Sequence, residues 1–166
     1  MQTISERAAS RRRSSEHAPR PRALRWTIAG HLSQPQRVTS RAPRILVVED
    51  DAATARVVKN ALIDAGFEVE TLDKGFRLIA MVMRYQPDLL LLDINLPDMR
   101  GDTAMKMVRR AAQTSRLNPL PVIVISGLPL DQLMEVQGQI GAVGCIQKPA
   151  PLDQIIERVR QVLGLD

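Results

Sequence analysis

Aromatic side chains are nearly absent from this sequence: one Trp, one Tyr and two Phe in 166 residues. A core must therefore be assembled from Leu, Ile, Val, Met and Ala, which pack at helix and strand positions without polar partners to satisfy. The lone cysteine, Cys145, excludes an intramolecular disulfide and fits a reducing compartment, so the cytoplasm is the expected location. No apolar run approaches the roughly 20 residues that span a bilayer. Arg11 to Arg13 are not followed by the apolar stretch of a secretory signal, so no membrane element is expected. The two histidines and one cysteine offer no zinc cluster, and the chain has no GxxxxGK loop to cradle a nucleotide.

The net charge of +5 hides a division. Residues 1–44 carry ten Arg against Glu6 and Glu16, a balance of +8, which leaves −3 for everything after Arg44. The basic pI of 10.1 thus belongs to the leader, and the segment beyond it is not a basic nucleic-acid binder. Residues 1–43 are rich in Arg, Ser, Pro and Gln without a sustained apolar period, a composition that buries too little surface to offset ordering entropy. We expect a disordered basic leader over 1–43 and one folded domain over 44–166.

From Arg44 onward strands and helices alternate. Ile45–Val48 is a short apolar run of the kind buried on both faces of a sheet. Ala55, Val58, Leu62 and Ala65 then fall on one helical stripe, closed by Gly66 where a left-handed residue is wanted. Phe67–Thr71 alternates apolar with acidic residues, as a half-exposed edge strand does, and Phe76, Ile79, Ala80 and Met83 recur at helical spacing. Leu89–Leu92 is the most apolar run and ends at Asp93. Ala104, Met107, Val108 and Ala111 mark a third helix, Val122–Ile125 a fourth strand ending at Ser126, and Leu133, Val136 and Ile140 a fourth helix. Gly144–Gln147 and the stripe Leu152, Ile155, Ile156, Val159 and Leu163 complete five strands and five helices. Strict alternation implies a parallel sheet covered by helices on both faces, with its ligand crevice beyond the C-terminal ends of the strands.

The polar residues sit at those ends. Strand one delivers Glu49, Asp50 and Asp51, strand three Asp93, strand four Ser126, and strand five leads to Lys148. Converging carboxylates repel one another unless a cation is present, and an all-oxygen donor set suits Mg²⁺. Glu49, Asp50 and Asp93, with a backbone carbonyl near Asn95, form the expected metal set. Asp93 can act as nucleophile toward phosphorus while Ser126 and Lys148 bind the phosphoryl oxygens. Taken singly, these residues read as helix caps and solvated strand ends, and Asp51 is assigned mainly to capping the first helix. Polar residues at successive strand ends make the joint reading the stronger one.

ILVVEDD at 45–51, PDLLLLDINLPDMRG at 87–101, VIVISG at 122–127 and GCIQKPAP at 144–151 stand in the order and spacing of one family. From Arg44 to Asp166 the sequence resembles the receiver domain of bacterial two-component response regulators. The resemblance implies a three-layer, flavodoxin-like α/β fold with strand order 2-1-3-4-5. It implies Asp93 as phosphoacceptor, Glu49 and Asp50 as the acidic pair, Asn95 as the carbonyl ligand of Mg²⁺, Ser126 as the hydroxyl switch, Lys148 as the family lysine, and a cis Lys148–Pro149 bond. The expected partners are a sensor histidine kinase or histidine phosphotransfer protein and a downstream protein target. The expected role is that of a stand-alone, self-phosphorylating signalling domain rather than an enzyme. Three positions depart from the pattern: Cys145 stands where the family usually has an aromatic, Ala150 where a Phe is common, and Leu128, two residues after Ser126, cannot orient a hydrolytic water. Activation through Ser126 and loop movement, with slow loss of the phosphoryl group, is the corresponding expectation.

Three rival classes remain in view. A receiver-like module that binds partners without phosphorylation is opposed by the complete polar set. An aspartyl phosphatase needs a general acid two residues after its nucleophile, which Asn95 is not. Nucleic-acid contact by the arginine-rich leader is a weaker reading than a solvated tail.

Overall fold

The computed structural model describes residues 41–115 and 119–165, with the side chains of 102 and 111–115 left undescribed. Most of the expected leader, residues 1–40, and the predicted contribution of Ala111 therefore lie outside the described residues. The elements are β1 (Arg44–Val48), α1 (Ala52–Asp64), β2 (Glu68–Leu72), a 3-10 turn (Gly75–Arg77), α2 (Leu78–Tyr85), β3 (Leu89–Asp93), α3 (Gly101–Ser115), β4 (Val122–Ser126), α4 (Leu130–Ile140), β5 (Gly144–Gln147) and α5 (Leu152–Leu163). The strands form one parallel sheet in the order β2-β1-β3-β4-β5. The alternation predicts the parallel, doubly covered sheet, and its strand order is the flavodoxin-like receiver order that the resemblance implies.

The period-2 character of the strands sorts their side chains into two aliphatic layers. Leu46, Val48, Leu90, Leu92, Val122 and Val124 face α2, α3 and α4. Ile45, Val47, Leu89, Leu91, Ile123 and Ile125 face α1 and α5. The central strands are buried on both faces, which explains why their sequences read as unbroken apolar runs.

Local signals end the elements where they were expected. Asp51 caps α1 by accepting the Thr54 N–H at 2.7 Å. Gly66, at φ +96°, turns the chain after that helix in a conformation open to glycine. The predicted face of α2 is corrected. Phe76 is 65% and Met83 42% exposed, whereas Leu78 and Val82 are buried, with Met81 and Tyr85 packed partly beside them. The cause is the 3-10 turn: Asp98 accepts the N–H groups of Gly75 and Phe76, both at 3.1 Å, so the helix starts at Leu78 and its phase shifts. Leu152, predicted on the inner stripe of α5, is likewise exposed at the helix start.

Candidate functional site

Parallel register places the polar residues in one rank across the top of the sheet. Val48 pairs with Leu92, so the next residues, Glu49 and Asp93, lie side by side. Asp93 pairs with Ile125, and Ser126 follows one step beyond. Ser126 pairs with Gln147, and Lys148 comes next. Glu49 and Asp93 continue the side-chain parity of Val47 and Leu91, pointing toward the α1 and α5 side of the sheet.

Glu49, Asp93 and Ser126 are all buried, while Asp50 faces solvent. Lys148 crosses to both buried carboxylates: its Nζ donates to Asp93 Oδ2 at 2.6 Å and to Glu49 Oε2 at 2.5 Å. Burial alone would lower the lysine pKa, but the hydrogen bonds to Asp93 and Glu49, together with their charges, outweigh it and hold the ammonium above its ordinary range. The other Asp93 oxygen, Oδ1, accepts the Asn95 N–H at 2.8 Å. Ser126 Oγ accepts Asn95 Nδ2 at 3.1 Å and the Leu128 N–H at 3.3 Å. The bond between Lys148 and Pro149 is cis.

Carboxylate oxygens of Glu49, Asp50 and Asp93 lie within 4.8 Å of one another. Three carboxylates and one ammonium leave a formal charge of −2, concentrated in a crevice partly shielded from water. A hard divalent cation with oxygen ligands and room for water matches that charge and donor set. The residues present thus fit Mg²⁺.

Glu49, Asp50, Asp93 and Lys148 come together in this crevice, and Asn95 links it to Ser126, which makes no direct contact with the carboxylates. Three contacts were not foreseen. Lys148 pairs with Glu49 as well as Asp93, and Asn95 reaches Ser126 with its side chain. Gln147 Nε2 donates to the Leu128 carbonyl at 3.0 Å, tying β5 to the loop after β4. Close backbone approach supports the same region: a Cβ on Gly101 would lie 2.7 Å from Ile94 Cγ2, so glycine lets α3 begin against the residue that follows Asp93. An apolar groove of about 600 Å³, lined by Val57, Val58, Ile125, Lys148, Pro149 and Leu152 among others, opens beside the ammonium.

A doubly covered parallel sheet with a carboxylate crevice at the C-terminal ends of its strands, bridged by one lysine, is the arrangement of receiver-type α/β modules, whose ligand crevice lies at that edge. The chain belongs to the response regulator receiver domain family, whose model matches residues 45–160. It is 34% identical over 122 residues to the DNA-binding dual master transcriptional regulator RpaA of Synechocystis, covering 73% of this chain and 49% of that protein. It is 30% identical over 124 residues to the chemotaxis protein CheY of Bacillus subtilis, covering 74% of this chain and 99% of CheY. A crystal structure of a putative response regulator from Chloroflexus aurantiacus superposes with a TM-score of 0.66 at 26% identity, covering 75% of this chain and 99% of that one. The chain spans about half the length of several curated relatives it matches, among them the Synechocystis regulator. Among the described residues, no helix is long and apolar enough to cross a membrane.

Proposed function

We propose that this receiver domain takes a phosphoryl group onto Asp93 from a histidine kinase or histidine phosphotransfer protein and signals through protein contacts that depend on that modification. The observation that carries the reading is the convergence of Glu49, Asp50, Asp93 and Lys148 in one partly buried crevice, with Ser126 one step along the sheet. A carboxylate oxygen of Asp93 attacks phosphorus, a C–O–P acyl phosphate linkage forms, and the donor's N–P bond breaks with its electron pair returning to the imidazole nitrogen. Lys148 already touches Asp93 Oδ2, so its ammonium is placed to neutralise a phosphoryl oxygen there, and the Ser126 hydroxyl donates to another. Glu49, Asp50 and Asp93, with the Asn95 carbonyl, would hold Mg²⁺, which when bound offsets the charge of carboxylates and phosphoryl group together. The groove beside Lys148, with Val57 and Leu152 at its exposed rim, accommodates apolar side chains of the histidine-bearing donor next to the acceptor.

Coverage of nearly the whole of CheY favours action by the receiver surface itself. Coverage of half of the transcriptional regulators favours a second reading, in which such a domain acts through a covalently linked output domain. Intact mass of the full chain after incubation with acetyl phosphate, with and without Mg²⁺, tests the proposal. A Mg²⁺-dependent gain of one phosphoryl group that Asp93→Asn abolishes is expected. No gain in the unmodified sequence would instead support a binding module that works without phosphorylation.

A further inference from the structure

The shifted phase of α2 leaves apolar residues on two sides of that segment. Leu78 and Val82 enter the core, while Phe76, Ala80 and Met83 are exposed and Ile79 is half-buried among them, forming a row that runs from the 3-10 turn along the helix. Asp98 accepts the Phe76 N–H, so the start of the row is fixed in place. Arg77 and Arg84 follow Phe76 and Met83 by one residue each and line one flank of the row. Neither forms an ion pair among the described residues.

α4 carries the same pattern with the opposite charge. Leu130 and Met134 are 52% and 59% exposed, and Asp131 and Glu135 follow them by one residue each. Residues four apart share a helix face, so the two carboxylates flank the two apolar side chains. No cation pairs with either carboxylate among the described residues. On both helices the charged row lies on the same hand of the apolar row, so the basic and acidic rows meet when the helices pack antiparallel. α3 lies between α2 and α4 and packs on both, which keeps the two rows of one chain apart.

We propose that the outer face of α2 docks α4 of a second copy of this chain, Phe76, Ala80 and Met83 against Leu130 and Met134, with Arg77 and Arg84 facing Asp131 and Glu135. A basic apolar face calls for an acidic amphipathic helix, and this chain carries one. The contact joins two different patches, one of each per chain, and is heterologous. About two helical turns a side bury less than the roughly 800 Å² per partner of a standard stable interface, so the association is weak and reversible. Glu49 and Asp93 point to the α1 and α5 side of the sheet, whereas α2 and α4 cover the other, so docking leaves the crevice open. The inference goes beyond the function proposed above and stands or falls separately from it.

Sedimentation equilibrium of the full, unphosphorylated chain at concentrations up to about 1 mM, in low and high salt, provides the test. The mean mass should rise above that of the monomer with concentration and fall back as salt screens the charges. Arg77→Glu with Arg84→Glu, or Asp131→Arg with Glu135→Arg, should each weaken association about tenfold or more, because attractive pairs become repulsive. All four positions are exposed, and circular dichroism should show both variants folded. Mixing the two variants should restore association, since the intact α4 of one meets the intact α2 of the other. A chain that stays monomeric throughout, or a mixture that stays monomeric, overturns the proposal. Association that survives the α2 substitutions places the contact elsewhere, on the basic leader or a symmetric face, and overturns it too.

Discussion

Replacing Lys148 by Met removes the ammonium that touches both Glu49 and Asp93 while keeping a side chain of similar length. The two carboxylates are nearly inaccessible, with side-chain exposures of 5% and 8%, whereas Lys148 retains 24%. Breaking a fully buried ion pair by deleting one partner costs about 3–5 kcal/mol, because the remaining charge is left desolvated. Water reaches the lysine, so the figure is discounted to about 2 kcal/mol. For a domain of this size that corresponds to a fall in Tm of about 6–10 °C. Thermal unfolding of the full chain in chelator, followed by circular dichroism, reads it directly. The crevice of the variant carries three carboxylates and no ammonium, a formal −3 instead of −2, so Mg²⁺ should raise its Tm by more than it raises that of the wild type. A Lys148→Met chain as stable as wild type in chelator, or one that gains no more from Mg²⁺, would refute the electrostatic reasoning. The pKa of Lys148 is raised in the fold, so its contribution is complete below the ordinary lysine range and is lost only as the pH climbs through the elevated value.

Gly101→Ala should destabilise the domain by about 1–3 kcal/mol in denaturant titration, since the new methyl meets Ile94 Cγ2 and Cβ at the base of α3, where the neighbour has little room to yield; a neutral effect would show that this junction is loosely packed. The N–H of Phe76, helped by that of Gly75 and working against desolvation, depresses the pKa of Asp98. Its clamp on the 3-10 turn is therefore present above the ordinary aspartate range and is lost only as the pH falls through the depressed value. The amide shifts of Gly75 and Phe76 should titrate with a midpoint below that of an ordinary aspartate, and the Asp98→Ala chain should show the released shifts at every pH. Leu128 offers no polar group to orient water toward the acyl phosphate, so phosphorylated protein should lose its label over minutes or longer; a half-life of seconds in a radiolabel chase would show another route for hydrolysis.

Much of this was readable before any coordinates because the central strands are buried on both faces. Leu89–Leu92 and Val122–Ile125 had to be apolar throughout, so the first polar residue after each run, Asp93 or Ser126, marks the top of the sheet. Asp51 and Gly66 announce the two ends of α1 through side-chain and backbone chemistry that acts locally. The errors arose where the controlling contact is distant. The phase of α2 is set by Asp98, 22 residues beyond the Phe76 N–H that it binds, so periodicity alone placed Phe76 inside. The bridge from Lys148 to Glu49 joins residues 99 apart and depends on strand order as well as register. The carboxamide of Asn95 lies within reach of Ser126 only because β3 and β4 are neighbours.

The central claim is that Asp93 is the phosphoacceptor, and the most direct test is to locate the modification chemically. Borohydride reduces an aspartyl phosphate to homoserine, so treatment of the full chain after incubation with acetyl phosphate and Mg²⁺, followed by peptide mass mapping, marks the acceptor permanently. Homoserine at position 93 and at no other aspartate is the expected result. Homoserine at Asp50 or Asp51 instead, or at no position although the protein has gained a phosphoryl group, would contradict the claim.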